Sequence, residues 1–294
     1  VPPRARARDP RDRLHDQVEV KLHHGAGLVL VAALLWIGLR LFEKGMVFAP
    51  SREMYAHPGT VGLAYEALNL KASDGVILRA WWIPGAADDA PVMLCLHGNG
   101  GNLSHRTDKM RIFHDAGASQ LWLDWRGYGE SGGSPDEPGL YRDALAAWAW
   151  LNAVKAVPAA RLVLYGESLG NGPAIELASR VPAAGLIVDS GFTSIPDMSR
   201  HVLPWFPAKL GKLRFDNITR LQRITIPTIF LHSPQDDIIP YGMALRNLQA
   251  SGATKKKLVD LKGSHNEGFL DAGPAYPKAI KDFLASLPQE SPKP

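Results

Sequence analysis

Cysteine is nearly absent, with Cys95 the single one in 294 residues. No internal disulfide can form and no cysteine-ligated zinc site can be built, which excludes disulfide scaffolds and zinc ribbons. A dominant charge sign is also missing: 33 Lys and Arg face 29 Asp and Glu, for a net +4, and no basic block is long enough to track phosphates. Nucleic acid is therefore not an expected partner. No internal repeat is visible. The chain does have 46% hydrophobic residues, enough to bury a sizeable core and to exclude disorder as the main state. Its 28 glycines and 23 prolines suit a fold with many tight strand-to-helix turns better than a helical bundle.

The composition changes abruptly near the N-terminus. Residues 1–24 are polar and basic, carrying Arg4, Arg6, Arg8, Arg11, Arg13 and Lys21, whereas 25–39 contain no charge at all. Leu41 and Phe42 extend the run past Arg40, whose long side chain can snorkel to a headgroup. At about 1.5 Å per residue the 25–42 stretch reaches about 27 Å, close to the hydrocarbon thickness of a bilayer. The expectation is a transmembrane signal-anchor helix over 25–42, followed by a single domain over 43–294. A cleaved signal peptide is the competing reading, but Val47-Phe48-Ala49 is directly followed by Pro50, which cleavage disfavours. A buried core helix fits poorly, because the run has no polar face. The basic excess before the run places the N-terminus in the cytoplasm and the domain on the extracytoplasmic side.

From about residue 60, short β-rich runs alternate with helical ones, the pattern of a mostly parallel sheet covered by helices. Strands are expected over 65–70, 77–83, 92–97, 120–125, 161–165, 185–188, 228–232 and 257–261. The first two are a candidate hairpin around Ser73-Asp74-Gly75. Helices are expected over 102–115, 139–153, 169–179, 241–250 and 267–286. In such a sheet, function gathers on loops at the carboxyl ends of the strands.

Three loops occupy those positions. Gly166-Glu167-Ser168-Leu169-Gly170 falls between a strand and a helix. As a bare G-x-S-x-G it is a weak signal, but in a strand-turn-helix it is a nucleophile elbow, whose glycines leave room for a strained serine. A serine hydroxyl needs a base and a group to orient that base. His265, after the last strand, fits the base, and Asp236, after the 228–232 strand, fits the acid. Asp237 and Asp189 are rival acids. The third loop, His97-Gly98-Asn99-Gly100-Gly101, has small residues that let backbone NH groups approach an oxyanion. The NH groups of Asn99 and Leu169 are the expected donors. The loop lacks a phosphate-binding G-x-x-x-x-G-K-[ST] pattern.

At these residues the sequence resembles the α/β-hydrolases from about residue 45 to 287. Asp124-Trp125-Arg126-Gly127-Tyr128-Gly129-Glu130-Ser131-Gly132, with Gly139-Leu140-Tyr141-Arg142-Asp143, resembles a motif block of one branch of that family. Asp189-Ser190-Gly191-Phe192-Thr193-Ser194 and Gly263-Ser264-His265-Asn266 do so too. That branch is the membrane-anchored α/β-hydrolase domain-containing proteins, which include serine hydrolases of lipid esters and fatty-acyl thioesters. The resemblance implies a Ser-Asp-His triad, no cofactor and no metal. Two positions depart from the pattern: Trp125 stands for the usual Tyr, and Ser233 for the usual Gly ahead of the acid.

Residues 195–213 lie where this fold carries a small helical cap. There Trp205 and Phe206 are either acyl-pocket residues or core. A tether and an apolar cap together favour lipid-like or long-chain acyl ester substrates. A peptidase or acyltransferase on the same residues, or a silent membrane-tethered binding module, are the alternatives. Lys255, Lys256 and Lys257 read as a solvated strand start, Cys95 as inert core, and Trp148 and Trp150 as helix-to-sheet packing. Asn102-Leu103-Ser104 and Asn217-Ile218-Thr219 match the glycosylation pattern, which recurs often by chance.

Overall fold

The computed structural model describes residues 10–288, with side chains described for Gly27 and from Val29 onward. Its contacts divide the chain into a unit ending at Met46 and one beginning at Val47. The first unit is helix α1, Pro10–Val47 up to its last residue, on which Val29, Leu30, Leu35 and Trp36 are exposed. Among the described residues no helix is long and apolar enough to cross a membrane. The expected span over 25–42 is thus not shown. Its first residues lie outside the described side chains, and the remainder runs into Arg40, Glu43 and Lys44, where Arg40 pairs with Glu43 at 2.8 Å. The polar tail over 1–24 also lies outside the described side chains.

The second unit is built on eight strands. They are β1 (Glu66–Lys71), β2 (Ile77–Ile83), β3 (Val92–Leu96), β4 (Ser119–Leu123), β5 (Leu162–Glu167), β6 (Gly185–Asp189), β7 (Thr228–His232) and β8 (Lys256–Asp260). Each falls where alternation and turn signals predict one. They form one sheet in the order β1-β2-β4-β3-β5-β6-β7-β8. β1 and β2 pair antiparallel, as do β2 and β4, and every later pairing is parallel. The hairpin turn closes through Ala72 NH to Val76 O at 2.9 Å, with Gly75 at φ +87°. That left-handed conformation suits glycine, which has no Cβ to clash.

Helices cover both faces: α2 (Thr107–Asp115), α3 (Glu137–Ala153), α4 (Asn171–Ala178), α5 (Ile195–Val202), α6 (Asn217–Leu221), α7 (Tyr241–Ala250), α8 (Gly268–Asp271) and α9 (Ala275–Ser286). Successive strand residues point to opposite faces, so one sequence feeds two cores. Leu94, Leu96, Leu164, Leu186 and Phe230 pack with α3 and α4, while Met93, Cys95, Tyr165, Ile187 and Leu231 pack with α2 and α9. Because both faces are covered, the central strands are buried throughout. Cys95 is fully buried, and burial pushes its thiol up, in keeping with inert core. Trp150 packs against Trp82 at 6.0 Å.

Three helical expectations change in detail. The 102–115 and 169–179 helices each begin with a 3-10 turn, Leu103–Arg106 and Ser168–Gly170. The single helix expected over 267–286 is two, because Gly273 at φ +54° and then Pro274, which has no NH to donate, interrupt it. Asn102 and Asn217 are fully buried, so neither sequon is accessible to a glycan.

The residues 124–143 buttress the hairpin. The Arg126 guanidinium pairs with Asp143 at 2.7 Å and with Asp74 of the β1–β2 turn at 2.7 Å. Removing one partner of a buried pair leaves the other without compensation, at a cost of about 3–5 kcal/mol. Arg126→Leu is therefore expected to lower unfolding free energy by about that amount in urea denaturation, since among the described residues Arg126 is the cation paired with Asp143. A loss under about 1 kcal/mol would mean the pair contributes little.

Candidate active site

β5 ends in the turn that carries Ser168. The serine has φ +50°, a strained conformation for a residue with a side chain. Its two flanking glycines have steric reasons. A Cβ on Gly166 would lie 2.7 Å from Asn171 Cα, and one on Gly170 would lie 1.9 Å from the Leu96 carbonyl oxygen. Only hydrogen fits at either position, so the elbow can press against the end of β3. The Asn171 side chain ties the turn down by donating to Ser168 O at 3.1 Å and to Asp189 O at 2.7 Å.

Three loops bring Ser168, His265 and Asp236 together. His265 Nε2 is 2.9 Å from Ser168 Oγ, and His265 Nδ1 is 2.8 Å from Asp236 Oδ2. The imidazole thus bridges hydroxyl and carboxylate, and its side chain is 7% exposed while that of Asp236 is buried. Burial raises the Asp236 carboxyl, but the His265 hydrogen bond and charge, with the NH groups of Ile238 and Ile239, outweigh it. The group is held below the ordinary carboxylate range, ionised and acceptor-only beside the imidazole.

The rival acids have other partners. Asp237 accepts from the His265 backbone NH at 2.9 Å, so it fixes the histidine loop rather than the imidazole. Asp189 is buried beneath β5, accepting from Lys109 at 3.0 Å and from the hydroxyls of Tyr165 and Tyr276 at 2.7 Å each. Ser233, the departure noted in the sequence, donates to Gly263 O at 2.6 Å and accepts from Gln235 NH at 3.0 Å. Its hydroxyl links the acid loop to the histidine loop, which a glycine there would not do.

The loop 97–102 lies against the elbow. A Cβ on Gly98 would be 3.3 Å from Ser168 Cβ, so a larger residue would crowd Ser168. Leu169 NH lies at the start of the turn leading into α4, where helix NH groups favour negative charge. Trp205 is not core: it is 73% exposed and meets the half-buried Phe206 edge-on at 6.2 Å. The core alternative therefore falls for Trp205. A cavity of about 540 Å³ lies between β8 and α9, rimmed by Lys255, Lys256, Lys257 and Lys278. Its lining includes Pro227, Thr228, Lys255 and Lys256 at the N-terminal ends of β7 and β8, whereas Ser168, Asp236 and His265 follow C-terminal ends of strands. Among the described residues no group of three His, Cys, Asp or Glu side chains is arranged to hold a metal.

Sequence reasoning missed a buried ionic layer under the elbow. Glu167, next to the serine, faces Lys109 at 3.3 Å and Arg106 at 3.4 Å, and Lys109 continues to Asp189. Neither cation stands out in the sequence, because α2 reads there as an ordinary charged amphipathic helix. Burial raises the Glu167 carboxyl, but the charges of Lys109, Arg106 and His97 dominate and bring it down to about 2, from 4.5. A depressed carboxyl contributes stability that is fully present above its unfolded value and is lost as pH falls through the folded one. Comparing wild type with Glu167→Gln by urea denaturation should therefore give a stability gap that is constant above pH 4.5 and shrinks toward pH 2. A gap independent of pH across that window would show that Glu167 is not held by its charge.

Residues 91–220 match the family described as alpha/beta hydrolase fold. The uncharacterized protein Rv2307c of Mycobacterium tuberculosis is 31% identical over 263 residues, which cover 87% of this chain and 94% of that protein. The lysophosphatidylserine lipase ABHD12 of Danio rerio is 28% identical over 69% of this chain, and the match spans 60% of the longer lipase. Among solved structures, the Pyrococcus furiosus esterase Pf2001 superposes with a TM-score of 0.70 at 18% identity, covering 82% of this chain and 98% of that one. With its sheet order, elbow and these relatives together, the chain belongs to the α/β-hydrolase family.

Proposed function

We propose that this protein is a serine hydrolase that cleaves carboxylic esters or thioesters through an acyl-enzyme on Ser168. The observation that carries the reading is the imidazole of His265 set between Ser168 Oγ at 2.9 Å and Asp236 Oδ2 at 2.8 Å. In this mechanism Ser168 Oγ attacks the acyl carbonyl carbon while His265 Nε2 takes its proton. Asp236 keeps the proton on Nδ1 and stabilises the imidazolium that forms. The tetrahedral oxyanion is received by the NH groups of Asn99 and Leu169. Collapse expels the alcohol or thiol, protonated by His265, and water then repeats the sequence to release the acid.

Lipid-like or long-chain acyl groups are the proposed substrates. The reading is supported by the apolar surface that Trp205 presents on the cap segment, with Val202 and Leu210 also exposed there, and by the lipase named among the relatives. Each further methylene taken from water contributes about 0.8 kcal/mol, so acyl length should register in kcat/KM. A fluorophosphonate should label wild type stoichiometrically at Ser168 by peptide mass, and Ser168→Ala should stay unlabelled and inactive. Across an ester panel, kcat/KM should rise from acetyl toward medium and long chains. An unlabelled, folded wild type would overturn the serine-hydrolase reading, and a preference for acetyl esters would overturn the lipid-like one.

The membrane tether and its orientation, with the N-terminus cytoplasmic and the hydrolase domain extracytoplasmic, belong to the same proposal. Their support is the charge-free sequence over 25–39 and the exposed apolar side chains of α1. The full chain should stay with membranes through alkaline carbonate washing, and its domain should resist protease added from the cytoplasmic side. Recovery in the soluble fraction would sink the tether.

A further inference from the structure

The segment that follows α1 is stitched into the loop over the candidate nucleophile. Phe48 is buried and meets Phe215 edge-on at 6.4 Å. Ala49 NH donates to Asn99 Oδ1 at 2.8 Å. Pro50 bridges to Gly101 in parallel fashion, and Ser51 NH donates to Gly101 O at 3.3 Å. The same strap is held from its other side. Gly129 NH donates to Ser51 O at 2.8 Å, the Arg52 guanidinium donates to Ser131 O at 2.7 Å, and Asn102 Nδ2 donates to Glu53 O at 2.7 Å.

Asn99 is where these ties converge. Its single side-chain oxygen accepts twice, from Ala49 NH at 2.8 Å and from the Tyr128 hydroxyl at 2.8 Å. Tyr128 is fully buried with its ring edge-on to His97 at 5.8 Å, so its hydroxyl has little freedom. The His97 backbone oxygen in turn accepts from the Trp125 indole at 3.0 Å. A carbonyl oxygen has two lone pairs, and both are in use here. The side chain of Asn99 therefore has a fixed position, and through it so does the peptide unit that carries the Asn99 NH, in a loop whose Gly98 packs on Ser168. Without these ties a run of three glycines around one asparagine would leave that NH poorly aimed, since glycine restricts the backbone least.

We propose that the 48–53 strap and the Tyr128 hydroxyl form a clamp on the Asn99 side chain that aims the Asn99 NH at the oxyanion of the reaction. Tyr128 and the Asn99 side chain are positioning residues, acting through a backbone donor that no side-chain substitution removes directly. The segment joining α1 to the sheet is then part of the working site. The inference rests on the serine-hydrolase reading above.

The test uses the full chain with Tyr128→Phe, Asn99→Leu and the double variant, assayed on a p-nitrophenyl ester that wild type hydrolyses. Misplacing a group by a fraction of an ångström to 1 Å costs up to about 100-fold, so each single variant should lose about 10- to 100-fold in kcat with KM within about twofold. Affinity for a boronic acid, which mimics the tetrahedral state, should fall by the same factor. The double variant should lose no more than the worse single one, because both act through one clamp. A purely structural role would lower the melting temperature without this kcat and boronate pattern. Should Asn99→Leu fail to fold, Tyr128→Phe alone carries the test, because it keeps the ring that packs on His97. Near-wild-type kcat in Tyr128→Phe, a loss confined to KM, or multiplying losses in the double variant would overturn the clamp while wild-type turnover keeps the hydrolase reading. An inert wild type would overturn both.

Discussion

The contact between Gly170 and the Leu96 carbonyl sets the geometry of everything above it. The elbow after β5 can reach the end of β3 only because position 170 has no side chain, with space for a Cβ already taken at 1.9 Å. With this approach Ser168 sits in a left-handed conformation, φ +50°, its hydroxyl 2.9 Å from His265 Nε2. It also places the loop after β3 directly beside the serine, where Gly98 leaves just enough room. Such strain costs of order 1–3 kcal/mol and persists only where the surroundings over-determine it. Here they do so by backbone packing above and by charge below.

Below the elbow, Glu167, Arg106, Lys109 and Asp189 form a continuous ionic layer with the hydroxyls of Tyr165 and Tyr276. The layer joins α2, β5, β6 and α9, and so couples the strand that presents the serine to helices on one face. Its charges face one another in pairs, Lys109 with both carboxylates and Arg106 with Glu167, as buried charges require. Beside the elbow, the 124–133 block works through hydrogen bonds instead. Asp124 accepts from Leu103 NH at 3.0 Å, and Ser131 Oγ donates to Asp124 O at 2.9 Å and accepts from Arg79 NH at 2.8 Å. Gly129 must lack a side chain because a Cβ would overlap Asp124 Oδ2 at 2.1 Å.

Much of this was legible in the chain itself. The strands announced themselves because buried parallel strands are continuous apolar runs bounded by turn residues. Ser168 and His265 were readable because each lies in a short loop directly after a strand, where the chain order of the chemistry constrains them. Asp236 was separable from Asp237 only by geometry: adjacent residues point apart, one to the imidazole and the other to the histidine backbone. Asn102, whose glycosylation pattern is one that recurs by chance, is a buried clamp on the 51–53 backbone, a role no local pattern announces. Trp205 and Phe206 were ambiguous, because an aromatic pair in a short connection carries no period that tells core from surface.

By itself the sequence determined the succession of strands along the chain, the two-faced apolar alternation and the elbow turn around Ser168. These are local properties, set by turn chemistry and side-chain period within a few residues. The tertiary structure alone decided which groups meet across long stretches of chain. Lys109 finds Asp189, Asn99 finds Ala49 and Tyr128, and Ser233 finds Gly263. No local pattern encodes such pairs, because a hydrogen bond between distant residues leaves only two ordinary polar letters in the sequence. Their partnership exists once the sheet has brought the loop ends together.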